Sequence, residues 1–127
     1  MRLELTHRGS YAIRAVLAQV DKMETTEASV LLLIMVVLSV VGVHPVISIA
    51  TASGVLAPLS PDPNLMGVTY LMAWAAGVSI SPFSGMHLGM QGRFHVNALG
   101  FLRWNGGFNL VMVALYVAWL HGFQMLH

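Results

Sequence analysis

Between Glu27 and Arg93 the chain carries a single formal charge, Asp62, and most other positions are apolar. Residues 29–43 read SVLLLIMVVLSVVGV, with no polar stripe at helical spacing, and eleven of them are Val, Leu or Ile. On a bilayer-insertion scale those eleven favour lipid by roughly 3–7 kcal/mol, which predicts a membrane span over about 28–43. Thr25 or Thr26 is placed to cap that helix, with Glu27 in its first turn, where the helix dipole favours an anion. His44-Pro45 then interrupts the run, because Pro45 lacks an N–H and pushes His44 out of the helical region. The apolar text resumes over 46–59, too short to span comfortably and studded with Ser48, Thr51, Ser53 and Gly54. Runs of that length predict a re-entrant segment or half-helix. After a polar turn over 60–64, a second span is expected over about 64–82 and a third over about 106–125. The Gly- and Met-rich stretch between them reads as a connector holding Arg93 and Arg103.

The expected fold class is therefore all-α: a polytopic membrane protein of about three transmembrane helices plus a re-entrant or half-helix. Residues 28–127 form its membrane domain. Residues 1–27 form a head with four basic and four acidic groups and no apolar leader core, read as cytoplasmic, with a short helix starting near Ser10. Lys and Arg favour the cytoplasmic side, so the head and the Arg93/Arg103 connector are expected on the same face. That arrangement needs three crossings, with the C-terminus outside.

Composition supports this picture and excludes several others. Hydrophobic residues make up 57% of the chain, charged residues 9%, and the mean hydropathy is +0.75, against roughly 25% charge in soluble domains. There is no cysteine, which removes disulfides, thiolate metal sites and cysteine-ligated clusters. No basic patch is dense enough for nucleic acid, so no nucleic-acid partner is expected. The six histidines are dispersed without metal-ligand spacing, and hydrolytic or phosphate-binding motifs are lacking, so no enzyme, cofactor or metal is expected.

Candidate chemistry concentrates at the two breaks. Residues 48–54, SIATASG, and 79–85, SISPFSG, match at four of seven positions, 31 residues apart. Small hydroxyl residues with glycine suit an unwound stretch, and paired interrupted segments point to a transporter site. The expected substrate- or ion-binding set is Ser48, Thr51, Ser53, Gly54, Ser79, Ser81, Ser84 and Gly85. His44, Pro45 and Pro82 are the expected pathway or gating residues. Sodium or a proton would be the coupling ion, and packing of small residues between helices is the competing explanation. Asp62 between two prolines reads as a solvated turn residue. His87, Gln91, Arg93 and His95 read as an anion-binding group or as a loop touching headgroups.

Two resemblances divide the chain. Its first 18 residues, with Gly9, Tyr11, Ala12, Arg14 and Ala15, resemble the opening of iron–sulfur-sensing winged-helix repressors. The recognition helix, wing and cluster cysteines of that family have no counterpart, so a DNA-binding regulator is the least favoured function. From about residue 30, the pieces 42–45 (GVHP), 50–54 (ATASG) and 81–85 (SPFSG) resemble the C-terminal part of ion-transporter-superfamily permeases. That resemblance implies a re-entrant hairpin, serine and threonine ligands, and an organic or inorganic anion as cargo. It also implies a bacterial inner membrane location and, as partners, the lipid bilayer with further copies or other permease segments. Together the two suggest a chimeric or truncated chain. A non-transporting helical assembly or scaffold protein is the alternative.

Overall fold

A short capping motif begins the first helix. The Glu27 carboxylate accepts the N–H of Glu24 at 3.3 Å, and helix α1 follows as Thr25–Val41. The cap is thus Glu24 rather than Thr25 or Thr26, because the Thr25 hydroxyl is engaged elsewhere: it donates to Gln124 Oε1 at 2.8 Å. The helix stops at Gly42, whose φ of 116° lets its N–H and that of Val43 turn back onto Leu38. A Cβ there would also lie 2.8 Å from the Phe83 ring. These features come from a computed structural model that describes residues 9–11 and 24–126. Apart from 9–11, which are helical, the short head helix and the repressor-like opening lie outside the described residues.

Each further helix starts where the sequence supplies a cap. His44 Nδ1 accepts the Val46 N–H at 3.3 Å, Pro45 occupies the first turn, and α2 runs Pro45–Leu56 with a 3-10 turn at Ala57–Leu59. Asp62 Oδ1 accepts the N–H groups of Asn64 and Leu65 at 2.7 and 3.0 Å and opens α3, Pro63–Ile80. Ser84 opens α4, Gly85–Phe94, which closes at His95. Asn97 Oδ1 accepts the Leu99 N–H at 2.9 Å at the head of α5, Ala98–Leu126. Among the described residues there is no strand.

Two expectations change. Residues 46–59 do not unwind: serine and glycine leave the helical backbone ladder intact, and only the proline at each break removes a donor from it. The connector is helical almost throughout, so α5 begins at Ala98 rather than near 106. His87, Gln91 and Phe101 give this Gly- and Met-rich stretch inward anchors that its apolar pattern does not reveal.

The helices run in alternating directions. The Thr25–Gln124 bond sets the start of α1 beside the end of α5. At the other end, a Cβ on Gly77 would meet Pro45 and Ser39 at 2.5 and 2.7 Å, so α1, α2 and α3 converge there. Ser79 bonds Asn109 at the same level. An apolar groove of about 310 Å³ between α1 and α2 runs from Leu38 and Val43 to Leu31 and Val55, which makes the two helices antiparallel. The result is four antiparallel legs, α1, α2, α3 and α5, with α4 folded across one end.

The exterior departs from that of a water-soluble bundle, and the core mixes large apolar side chains with small and polar ones. Ala28, Ala73, Ala76, Thr25, Ser29, Ser39, Thr69 and Asn109 are buried beside Leu32, Met35 and Leu120. Ser29, Ser39 and Thr69 each donate to the carbonyl four residues back, at 2.7–2.9 Å, so their hydroxyls are satisfied within their own helix. Leu33, Ile34, Val37, Val41, Leu71, Leu110, Val111, Leu115 and Trp119 are exposed. Two stretches are long and apolar enough to cross a membrane, Pro63–Phe94 and Ala98–Leu126. The first is not one straight helix, since the chain opens at 81–84 between α3 and α4. Thr25–Val41 and Pro45–Leu59 are shorter apolar helices.

Candidate polar site at the helix break

The end of α3 needs partners because its last carbonyls have none within the helix. Pro82 makes the shortage worse by bringing no N–H to this turn. The chain meets this with side chains from α4 and α5. Asn105 Nδ2 donates to Ser79 O at 3.0 Å, His87 Nδ1 lies 2.7 Å from Ser81 O, and Gln91 Nε2 donates to Pro82 O at 2.8 Å. A carbonyl only accepts, so His87 carries its hydrogen on Nδ1. Within the turn, Ser84 N–H reaches Ser81 O at 3.2 Å, and the Ser81 hydroxyl accepts from Phe83 N–H at 3.3 Å.

A second group of bonds locks α3 to α5. Asn109 Nδ2 donates to Asn105 O at 3.0 Å, which turns Asn109 Oδ1 toward the Ser79 hydroxyl, 2.7 Å away. That hydroxyl therefore donates to Asn109, and Asn105 answers by donating to Ser79 O. Ser81, Ser84, His87 and Asn109 are all buried, and the His87 ring stacks on Phe101 with centroids 4.1 Å apart. The cluster contains no carboxylate, and among the described residues no His, Asp or Glu group is placed to hold a metal ion.

The expected site residues are thus distributed among three environments. Ser79, Ser81, Ser84 and Pro82 form one joint, and Gly85 is exposed at its edge as the first residue of α4. His44 and Pro45 lie at the same end, since Gly42 touches Phe83, Pro45 abuts Gly77, and His44 meets Trp74 edge-on at 6.3 Å. Ser48 is buried on α2, and its hydroxyl has no hydrogen-bond partner. Thr51, Ser53 and Gly54 face outward on the same helix, away from the joint.

Chemically, the joint is a set of filled backbone acceptors rather than an open ligand cage. A cation binding at Ser79 O, Ser81 O or Pro82 O would have to displace Asn105, His87 or Gln91. Asn105 and Phe101 have no part in the site expected from sequence, and His87 and Gln91 figure there only as an anion-binding group or headgroup-touching loop, not as partners of this turn. Their signal was present as two polar pairs at helical i, i+4 spacing, His87/Gln91 and Asn105/Asn109, within otherwise apolar text. Comparison with protein-family models, curated proteins and solved structures gives no match to this chain.

Proposed function

We propose that this chain is an integral membrane helical module that works by packing against further helices, either copies of itself or other membrane segments. The observation that carries this reading is the exterior: large apolar side chains cover it, while the interior mixes such side chains with small and polar ones. Lipid-facing bundles have this arrangement, because lipid tails solvate Leu and Val as well as a core does. Four crossings then put Glu24, Glu27 and Asp62 on one face and Arg93 and Arg103 on the other. The head's four Lys and Arg outweigh those two, which supports a cytoplasmic N-terminus. The permease likeness supports a bacterial inner membrane.

The assembly role rests on α2. Its outward face presents Ala50, Ser53, Gly54 and Ala57 alongside Val46 and Ile47, with Thr51 at the edge where α2 lines the groove toward α1. Hydroxyls facing hydrocarbon are costly, and small residues allow close helix approach, so this face suits a partner helix better than lipid. Gly54 gives a clean test, because a Cβ there meets nothing within 4 Å. Gly54→Leu leaves the monomer folded and lowers disulfide cross-linking between copies carrying cysteine at position 50 by tenfold or more. Undiminished cross-linking would defeat the assembly role.

Anion transport coupled to sodium or protons is the second reading. It is favoured by the meeting of the two breaks at one end and by the unpartnered Ser48 hydroxyl. Ion-dependent uptake by proteoliposomes holding this chain alone would establish it over the assembly role.

A further inference from the structure

We infer that the end of the molecule bearing α4 is a docking surface for anionic phospholipid headgroups; this rests on the membrane reading above. The inference starts from how far this end projects. Because Ser79 and Ile80 lie level with residues 105–109 of α5, residues 98–104 rise beyond the end of α3. At 1.5 Å per residue, the tip of α5 stands about 10 Å past Asn105 and about 16 Å past Asn109. Helix α4 packs against this projecting part through the stack of His87 on Phe101. The pair forms a cap at the depth where hydrocarbon gives way to headgroups.

The cap has the chemistry of that boundary. His87 and Gln91 point inward, while Met86, Met90 and Phe94, at i, i+4 and i+8, form an exposed apolar stripe. Arg93 lies beside that stripe, its guanidinium 5.9 Å from the Phe94 ring centroid. On α5, Arg103 is exposed next to Trp104, which is 68% exposed and meets Phe101 edge-on. An exposed tryptophan beside an arginine, an apolar stripe and a short helix is the composition of an interfacial anchor.

Charge selects the headgroup. Among the described residues, the carboxylates are Glu24, Glu27 and Asp62, all at the opposite end, so neither Arg93 nor Arg103 has an acidic neighbour. Two unneutralised guanidiniums at headgroup depth fit phosphodiesters, which they grip through paired N–H groups. A zwitterionic headgroup brings its own cation and satisfies them less well.

The test uses the full chain in vesicles of phosphatidylcholine alone and of phosphatidylcholine mixed with phosphatidylglycerol. Spin-labelled phosphatidylglycerol at the protein boundary is measured against spin-labelled phosphatidylcholine. The wild type enriches the anionic probe, and each of R93Q and R103Q lowers the enrichment by up to about fivefold. R93K and R103K retain most of it, and raising the salt concentration weakens it. Equal enrichment in the wild type and the double glutamine variant overturns the inference while leaving membrane integration standing. So does a cap that binds inorganic phosphate in detergent as tightly as it binds the lipid. Extraction of the chain from the vesicles by alkaline carbonate overturns the membrane reading itself.

Discussion

Gly77 occupies the point where α3 lies against Pro45 at the start of α2 and Ser39 near the end of α1. No methyl group fits there without moving a ring or a helix. Gly77→Ala therefore destabilises the bundle by about 1–3 kcal/mol, the range for overpacking. Gly67, on the same helix, faces open space. Gly67→Ala gains up to about 1 kcal/mol from helix propensity alone. Denaturant titration in mixed micelles measures both, and a neutral Gly77→Ala would contradict the packing described. At this scale the sequence gives little warning. It marks both glycines equally, and only the three-dimensional convergence of distant residues separates them.

At the scale of elements, the joint over 81–84 shows how an apolar helix can end inside the fold. Its carbonyls are filled by Asn105, His87 and Gln91, and the Ser79–Asn109 bond ties the joint to α5. Asn109→Leu leaves the Ser79 hydroxyl without its shortest acceptor and removes the side-chain donor to Asn105 O. Interhelical hydrogen bonds in membranes are worth about 1–2 kcal/mol at most, so the variant loses that much. Faster amide hydrogen exchange near Ser81 than in the wild type is the accompanying sign, and unchanged exchange would sink the account. The breaks at Pro45 and Pro82, the Asp62 turn and the apolar helices are legible in the sequence because proline and apolar runs act locally. Helix α4 is not, since the groups that hold it are polar and their partners are backbone carbonyls supplied by another segment. The expected opening over 48–54 misjudged a similar balance. Serine and glycine permit an unwound turn, but without proline nothing forces one.

Across the whole molecule, the direction of α2 decides the topology. A dipping segment would put the head and the Arg93 end on one face, as the basic residues alone suggest. The groove against α1 sets α2 antiparallel to it, so Glu27 and Asp62 lie at the same end of the bundle, and our four-crossing proposal puts them on one side of the membrane. Cysteines at positions 27 and 62 should react with an impermeant maleimide from the same side of oriented vesicles, and one at 93 from the other. Labelling of 27 and 62 from opposite sides would restore the three-crossing arrangement.

The joint also imposes an order in time. A ribosome delivers α3 well before α5, so Ser79 is made before Asn105, which fills its carbonyl, and before Asn109, which accepts its hydroxyl, whereas His87 and Gln91 reach Ser81 O and Pro82 O sooner. Asn109 lies 30 residues after the serine it receives. Until α5 emerges, the growing chain holds an end of α3 that is only partly closed. Synthesis therefore completes this end of α3 late, and a pause or error in making α5 is felt first at a site translated 30 residues earlier.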